Sequence, residues 1–566
     1  MAALFTTPKR NDKTSGAHFV EPDVRRRTLL AHGSWRRVTR RIVVGAVCAL
    51  TVSSLLMPSV SLAAERVNVG DTWYEAGAAV GDEAGTWAWN GADDMKLNGY
   101  NGGAIEAEGK LNVNYSGNNT VANDSGSGIR VTDGANENAE LNIKGDASST
   151  LNVTSSGDAI WSEGDINIDG AGTVNATSAE GDAIDAKGDL TIKGSGNVNA
   201  TGDSEGIRAD DNITIDNSGT VTAKATEDQG IDAHENLTIK GGGKVEANSK
   251  EDYAVKAIGG LTVTNASLNA TGVGYGVYAY KGITLDGATV TVRASAGNDE
   301  ASALFTDEDD IVIKNGSIVD AFAEGQFSTA ISTRNYNPNE AGGHIYISDS
   351  VVKAIARYVE SSSDGPDCYS ADLDGEITPE RRGVNIGIFA QTSEGIMPAT
   401  ISIVRSKVTA EGDTAAIFAL AMSADGKAIG TIEIEGASIL TPEGGKVIDY
   451  RSKEELSDGT VYEAGQVIGT GDAVIDSPYD DAVAKRAVIA PSEETKPEEK
   501  PGETKPEGSK SEGTKTTKTV AVAATGAKTT GKLAATGDAS NAAIVAAALA
   551  GTAAIAAGAV VSRKRS

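Results

Sequence analysis

The sequence predicts an all-β protein that folds as a parallel β-helix, a solenoid with three short strands in each coil. Two observations carry this prediction. Similar segments recur every 22 to 24 residues through the middle of the chain, and each contains three triplets with apolar or small residues at both ends. The composition agrees, since aromatic residues are only 5% of the chain and the 67 glycines suit many tight turns.

The three triplet series can be followed from one repeat to the next. The first begins at Ile160, Ile184, Ile207, Ile231, Val255 and Val277. The second begins at Ile166, Leu190, Ile213, Leu237, Leu261 and Ile283, and the third at Val174, Val198, Val221, Val245, Leu268 and Val290. Less regular repeats follow the same pattern from Ile105, Ile129, Leu304, Ile331, Ile388 and Ile417.

Alternation within each triplet favours strands, because helical repeats would need longer runs with a period of 3.6 residues. We expect a right-handed winding from the crossover rule. In one coil the inward residues should be Ile160, Ile166, Ile168, Val174 and Ala176. Ser162 occupies the slot that Ala186, Ala209 and Ala233 fill in later coils, so this corner should admit only small side chains.

The solenoid is predicted over 105–446, with an insertion at 356–383 that interrupts the period. An N-terminal cap is expected at 64–104, where Trp73, Trp87 and Trp89 should cover the first coil, and a C-terminal cap at 447–490. An uncovered coil end would leave a bare strand edge, which explains the need for caps.

Residues 1–63 have the order of an export signal peptide. Eight arginines precede an apolar stretch from Ile42 to Met57, and small residues then lead to a predicted cleavage between Ala63 and Ala64. A membrane anchor is the alternative, and the short apolar run speaks against it. The export route stays open.

The other end has the order of an anchoring signal. Residues 491–532 form a charged, Pro-interrupted stalk, and Ala539 to Val561 are long and apolar enough to span a membrane before a basic tail. The pentapeptide between them, Leu533, Ala534, Ala535, Thr536 and Gly537, resembles the cell-wall sorting signal of Gram-positive surface proteins, with Ala534 in place of the usual proline. This resemblance implies a sortase that joins Thr536 to peptidoglycan.

Composition excludes several classes of function. The formal charge is −29, from 50 Lys and Arg against 79 Asp and Glu, which argues against nucleic acid as a partner. Two cysteines cannot build a disulfide framework, and four histidines leave little room for imidazole chemistry.

The segment from Gly181 to Ile192, GDAIDAKGDLTI, resembles the core repeat of a bacterial carbohydrate-binding parallel β-helix family. The resemblance covers roughly 100–320 well and 385–440 more loosely. It implies that the protein binds polysaccharide and that carboxylates at the coil corners hold calcium.

The residues themselves offer candidates for a calcium site. Asp158, Asp182 and Asp185 fall at corners or outward positions of neighbouring coils, where stacked carboxylates repel unless a cation lies between them. Asp372 and Asp374 in the insertion resemble the middle of a calcium loop, with the outer carboxylates missing. A second acidic series, Asp165, Asp189, Asn212 and Asn236, favours a structural turn ladder instead.

Four aromatic residues are candidates for sugar binding, because exposed rings on a flat sheet can stack against sugar rings. Trp161 and Tyr278 take the outward middle position of their triplets, and Tyr275 and Tyr280 are close to Tyr278 in sequence. Partial burial under a loop is the alternative interpretation of these rings.

Together these features predict a wall-anchored surface protein that binds polysaccharide and is not an enzyme. Two alternatives stay open. One is an adhesin or structural surface protein, and the other is a polysaccharide lyase or glycosidase, for which Arg381 and Arg382 near Asp372 would be the only cluster to nominate.

Overall fold

The structure is a computed structural model that describes residues 63–134, 139–335, 342–359, 384–392, 399–423, 429–456, 459–471 and 482–492. All of these lie in one unit of the chain, Met1–Glu494, and the second unit, Thr495–Ser566, contains none of them. Most of the leader therefore lies outside the described residues, as do residues 360–383 with Asp372 and Asp374, the predicted stalk beyond 492, the sorting pentapeptide and the predicted span. In the described part, no helix is long and apolar enough to cross a membrane.

The described residues confirm the parallel β-helix. They form 43 strands, and the three triplet series become three stacks of parallel strands, here named the first, second and third stack. Within the repeat, each strand pairs in parallel with the equivalent strand of the next coil, in the register that the repeat predicts. Ile160 pairs with Ile184, for example, and Ile184 pairs with Ile207. The strands at the ends of the second and third stacks, Val80–Gly81 with Trp87–Trp89 and Arg486–Pro491 with Ala437–Thr441, pair antiparallel instead.

The first stack follows the series of first triplets through twelve coils. Its strands are Ile105–Glu108, Ile129–Thr132, Ile160–Ser162, Ile184–Ala186, Ile207–Ala209, Ile231–Ala233, Val255–Ala257, Tyr275–Ala279, the last part of Thr289–Thr306, the last part of Ile318–Asn335, Asn385–Thr392 and Ala415–Ser423.

The second stack forms a separate sheet of 15 strands. Its strands are Val80–Gly81, Trp87–Trp89, Asp94–Asn98, Lys110–Ser116, Glu140–Gly145, Asp165–Gly170, Leu190–Gly194, Ile213–Asn217, Leu237–Lys240, Leu261–Thr264, Ile283–Asp286, Ile311–Lys314, Ile345–Ser348, Thr400–Val404 and Thr431–Glu435.

The third stack contains Asn101–Gly102, Asn118–Asn123, Thr150–Ser155, Thr173–Ser178, Asn197–Thr201, Thr220–Ala225, Lys244–Ser249, Ser267–Val273, the first parts of Thr289–Thr306 and Ile318–Asn335, Val351–Tyr358, Lys407–Glu411, Arg486–Pro491 and Ala437–Thr441. The two 18-residue strands, Thr289–Thr306 and Ile318–Asn335, run through the corner between the third and first stacks. They join these two stacks into one 28-stranded sheet.

Aliphatic side chains fill the interior of the coil in rows. All five residues predicted to point inward are buried, and Ser162 and the three alanines of its row are fully buried as well. Burial of one Ile, Leu or Val side chain contributes roughly 1.5–3 kcal/mol, so each coil adds several such contributions to the free energy of unfolding.

Antiparallel strands cover both ends of the first stack. Arg66–Val69 pairs antiparallel with Ile105–Glu108 and with Thr72–Glu75, while Gly459–Gly469 pairs antiparallel with Ala415–Ser423 and with Lys446–Leu456. Of the three tryptophans expected to cover the first coil, Trp87 and Trp89 are buried. Trp73 lies on the outer strand of the hairpin and is 40% exposed.

Two boundaries differ from the sequence prediction. Parallel pairing already begins at Asp94–Asn98, before residue 105, because this strand aligns with Lys110–Ser116. At the predicted insertion, Val351–Tyr358 continues the third stack past residue 356. The first difference arises because Asp94–Asn98 has an alternating triplet of its own, with Met95 and Leu97 buried. The second arises because the preceding coil supplies a parallel partner, Ile318–Asn335, to Val351–Tyr358 along its whole length.

Candidate binding face

The outward middle residues of the first stack form one continuous row, here named the outward row. Residues of a strand alternate between its two faces, and the parallel register aligns each outward residue with that of the next coil, at a spacing of ~4.8 Å. Through the first nine coils the row reads Glu106, Arg130, Trp161, Asp185, Arg208, Asp232, Lys256, Tyr278 and Phe305. It continues with Ser332, Phe389 and Phe418.

Tyr275 and Tyr278 lie in an aromatic cluster with Tyr253 and Phe305. The ring centroids of Tyr275 and Tyr278 are 5.7 Å apart, Tyr253 is 4.8 Å from Tyr275, and Phe305 is 5.1 Å from Tyr275. The three tyrosines are half-buried and Phe305 is buried. The cluster therefore presents tyrosine rings on a rigid base of packed aromatic side chains.

Charged groups surround this aromatic cluster. The Tyr278 hydroxyl donates to Asp307 at 3.5 Å, and Arg334 pairs with the same carboxylate at 3.2 Å. The Arg334 guanidinium also lies 4.9 Å from the centroid of the Phe305 ring. Burial and the neighbouring Asp307 raise the pKa of Tyr278, so its hydroxyl keeps its proton and can donate a hydrogen bond at neutral pH.

The other two predicted aromatics lie apart from this cluster. Tyr280 donates its hydroxyl to Glu308, which also pairs with Lys281 at 2.7 Å. Trp161 is on the same row as Tyr278, but four residues of the row lie between them, which places them roughly 24 Å apart. One face of the indole is taken by Arg130, whose guanidinium carbon is 4.9 Å from the ring centroid.

Alternating charges fill the row between Trp161 and Tyr278. Arg208 pairs with Asp185 at 3.3 Å, and Lys256 pairs with Asp232 at 3.4 Å. His234 lies 3.2 Å from the Asp232 carboxylate. Asp185 and Asp232 are both buried although they point outward, because the long side chains of adjacent coils cover them.

Burial raises the pKa of Asp185 to about 6, and Lys187 and Arg208 only partly oppose this effect. Burial has the same tendency at Asp232, but His234 and Lys256 outweigh it, and the pKa of Asp232 is lowered. Both carboxylates thus belong to a charged network that the protein itself supplies. This network favours the charged form of Asp232 but does not offset the burial of Asp185.

A second acidic row lies at the corner just before the first stack. Asp158 accepts a hydrogen bond from the backbone N–H of Asp182 at 3.0 Å, and Asp182 accepts one from the N–H of Glu205 at 3.0 Å. The Glu205 side chain also hydrogen-bonds to Asp182, and burial together with this like-charged neighbour raises the pKa of Glu205 to about 10. This environment favours the protonated form of Glu205 beside Asp182 at neutral pH.

The series predicted as a turn ladder makes the hydrogen bonds of one. Each side-chain oxygen accepts a hydrogen bond from the backbone N–H of the equivalent residue one coil further on. Asp165 accepts from the N–H of Asp189 at 2.9 Å, and Asp189 accepts from the N–H of Asn212 at 3.1 Å. Asn212 then accepts from the N–H of Asn236 at 3.2 Å, and Asn236 accepts from the N–H of Gly260 at 3.0 Å. These side chains link consecutive coils.

Calcium stays a prediction. Within the described ranges, no group of three or more His, Cys, Asp or Glu has an arrangement that could hold a metal ion. Ca²⁺ prefers six to eight oxygen ligands. Of the predicted ligands among the described residues, Asp185 is already paired with Lys187 at 2.7 Å and with Arg208, whereas Asp158 and Asp182 lie next to each other at the corner.

Sequence reasoning found two members of the aromatic cluster and missed Tyr253 and Phe305. Phe305 could have been found, because it is the outward middle residue of the triplet that begins at Leu304. Tyr253 stands two residues before Val255, the same position that Tyr275 takes before Val277. The positions of Tyr253 and Phe305 within the repeat could therefore have identified both residues from the sequence.

Comparison with known proteins adds no assignment: the chain matches no family model, and no curated protein or solved structure is significantly similar to it.

Proposed function

We propose that this protein binds carbohydrate at the bacterial cell surface and that the aromatic cluster of the outward row is its binding platform. The observation that supports this most directly is the set of half-buried tyrosine rings at Tyr253, Tyr275 and Tyr278, held at 4.8–5.8 Å from one another on a regular sheet. The resemblance of the repeat to a carbohydrate-binding family points to the same function.

The chemistry of the platform suits a sugar ring. Aromatic rings offer apolar faces to the C–H groups of a sugar, while a few fixed polar groups orient its hydroxyls. Here Asp307 supplies acceptors and Arg334 supplies donors beside Tyr278. Because Phe305 supports the tyrosines from the next coil, little side-chain entropy would be lost on binding.

The test is retention on a panel of immobilised polysaccharides. Tyr278→Ala should weaken binding by about ten-fold or more, since central aromatic contacts carry much of the affinity of a binding site. Tyr278→Phe keeps the ring and should retain most of the binding. Tyr346→Ala is the matched control, because Tyr346 is an exposed aromatic on the second stack.

Thermal melting of each variant separates lost binding from lost folding. Equal retention of Tyr278→Ala and the unaltered protein on every polysaccharide would contradict the platform. Retention on none of them by the unaltered protein would contradict carbohydrate binding itself and favour an adhesin or structural role.

We further propose export with cleavage between Ala63 and Ala64, followed by sortase attachment at Thr536. The order of leader, repeat domain, stalk and sorting signal supports this location. Ala64 is buried and Ala63 pairs with Lys110, so a chain that begins at Ala64 would keep the buried core of the described residues. Calcium at Asp158 and Asp182 is a third proposal.

The charged residues of the outward row favour carbohydrate binding over catalysis. A hydrolase or lyase needs carboxylates or a base poised on a substrate. Asp185 and Asp232 are instead paired with Arg208 and Lys256 of the protein itself, so their side chains are held by neighbouring coils.

A further inference from the structure

We propose that a groove at the N-terminal end of the outward row is a second carbohydrate subsite, one that takes an uncharged sugar residue and disfavours a uronic acid. This inference rests on the proposed carbohydrate binding and concerns a different part of the same face. The groove has a volume of about 530 Å³ and a lining that includes Asn68, Glu106 and Arg130.

Three consecutive strands form the floor of the groove. Asn68 pairs with Glu106 in the antiparallel register of the N-terminal cap, and Glu106 pairs with Arg130 in the parallel register of the first stack. These outward side chains therefore stand about 5 Å apart along the row. The turn at Gly70 and Asp71 and the loop from Ala122 to Ser127 close the sides.

The loop that closes the groove is held in place by Asn123. Its amide nitrogen donates to the carbonyl oxygen of Ser127 at 2.7 Å. Its amide oxygen accepts from the backbone N–H and the hydroxyl of Ser125 at 3.1 and 3.2 Å. Because Asn123 is used for these bonds, the wall is ordered before any ligand arrives.

Several polar side chains of the groove are not used by the fold. The amide oxygen of Asn68 is buried and accepts no hydrogen bond. Among the described residues, Glu106 and Asp124 have no ion-pair partner, and the Arg130 guanidinium lies over the Trp161 ring without an ion pair. This differs from the centre of the row, where Asp185 and Asp232 are both paired.

Unused donors and acceptors in a concave surface suit a ligand with many hydroxyls. An unsatisfied buried acceptor costs free energy, and a ligand hydroxyl that reached Asn68 would recover it. Arg130 and Trp161 form a stacked rim where a sugar ring can pack. The groove thus combines the acceptors, donors and flat apolar surface that recognise a sugar.

The charge of the groove selects between classes of sugar. Asp71, Glu106 and Asp124 contribute three carboxylates against the single guanidinium of Arg130. The carboxylate of a uronic acid would enter this negative field, whereas a neutral sugar would not. The three carboxylates do not form one of the arrangements that could hold a metal ion in the described part of the chain, so a bridging cation is not the basis of the proposal.

Titration calorimetry with hexasaccharides tests this selection on the chain from Ala64 to Ser492, beside the full protein. The neutral probes are hexamers of glucose and of galactose, and the acidic probe is hexagalacturonate. A neutral probe should bind about ten-fold or more tightly than the acidic one. High salt should narrow the difference, because it screens the repulsion.

Two variants test the groove itself. Ser125→Trp should fill the groove and weaken binding of the neutral hexamer about ten-fold. Asn68→Leu should weaken this binding by a similar factor, although it leaves the groove open. Thr201→Trp, at an exposed position of the third stack, is the matched control and should leave binding unchanged. Melting curves identify any variant that fails to fold. If one of the two variants fails to fold, the binding of the other tests whether the groove takes the sugar.

The outcomes separate the two proposals. If Tyr278→Ala weakens binding while Ser125→Trp and Asn68→Leu do not, the groove is excluded and the aromatic platform stands. If the acidic hexamer binds as tightly as the neutral one or more tightly, the proposed selectivity is wrong. If none of the hexamers and none of the immobilised polysaccharides binds, carbohydrate binding fails together with the groove.

Discussion

Glu205 links the packing of the corner to the pH dependence of stability. Its pKa rises from 4.5 to about 10 in the folded protein because it is buried beside Asp182. A carboxyl group with a raised pKa contributes stability that is complete below about pH 4.5 and is lost progressively as the pH rises towards 10. Asp185, raised from 3.8 to about 6, adds a smaller loss between these two values.

Glu205→Gln should therefore raise the melting temperature at pH 8 and flatten its decline between pH 5 and 9. Glutamine resembles the protonated acid and can keep the hydrogen bond to Asp182. The measurement is thermal melting followed by circular dichroism across this pH range. Glu433→Gln, at an exposed position on the second stack, is the control and should leave the slope unchanged.

A chelator distinguishes a proton from calcium at the same corner. If Ca²⁺ neutralises Asp158 and Asp182, removing it should lower the melting point of the unaltered protein, and the loss should be largest at high pH. If the proton on Glu205 suffices, the chelator should have no effect. An equally steep pH dependence in Glu205→Gln would show that other groups cause it.

Individual site residues were only partly predictable from the sequence. The repeat phase placed Trp161 and Tyr278 correctly in the outward row, because alternation along a strand fixes which face a residue takes. It could not reveal that Arg130 covers one face of Trp161. That contact depends on side-chain conformations in adjacent coils, which the triplet pattern does not encode.

Strands show where the sequence pattern is most informative. The first triplets pair as predicted even in the irregular repeats, with Leu304 opposite Ile331 and Ile331 opposite Ile388. Register is strongly specified here because a slip by one residue would exchange the aliphatic and polar faces. The pattern did not predict the buried Asp185 and Asp232, since burial of an outward residue depends on its neighbours in the row.

The row of small residues at one corner gives a prediction about packing. Ala186, Ala209 and Ala233 pair with one another in register and are fully buried. Ala209→Leu should lower the free energy of unfolding by about 1–3 kcal/mol, because a larger side chain must displace the adjacent rows.

Chemical denaturation measures this difference. Thr201→Leu, on the exposed side of the third stack, adds a comparable side chain without a packing conflict and should change stability by less than about 0.5 kcal/mol. A similar loss for both variants would show that β-sheet propensity, and not the width of the corner, determines the result.

At the scale of the whole molecule, both ends of the first stack are covered in the same way. Both terminal strands of the first stack receive an antiparallel partner from the adjoining hairpin, which removes an edge that could pair with another chain. The repeat did not predict these hairpins, because they lie outside its period. At the N-terminal end the hairpin also supplies Asn68 and Asp71 to the proposed groove, so the cap has a second use.

Acidic and basic residues are distributed unevenly along the chain, in a way that agrees with the anchoring proposal. The basic residues of the leader and of the extreme C-terminus belong to segments that processing would remove, so the mature protein would be more acidic than the formal charge of −29 indicates. An acidic domain on a stalk would repel acidic polymers at long range. This agrees with the selectivity for neutral sugars proposed for the groove.

Sorting is tested by the threonine that would form the new bond. Thr536→Ala should shift the protein from the covalently bound wall fraction to the detergent-extractable membrane fraction, because the apolar run from Ala539 to Val561 would then be retained. Thr525→Ala is the matched control, since Thr525 lies in a similar pentapeptide, VAATG, that is further from this run. Wall attachment that survives Thr536→Ala, or is lost equally in Thr525→Ala, would exclude Thr536 as the point of attachment.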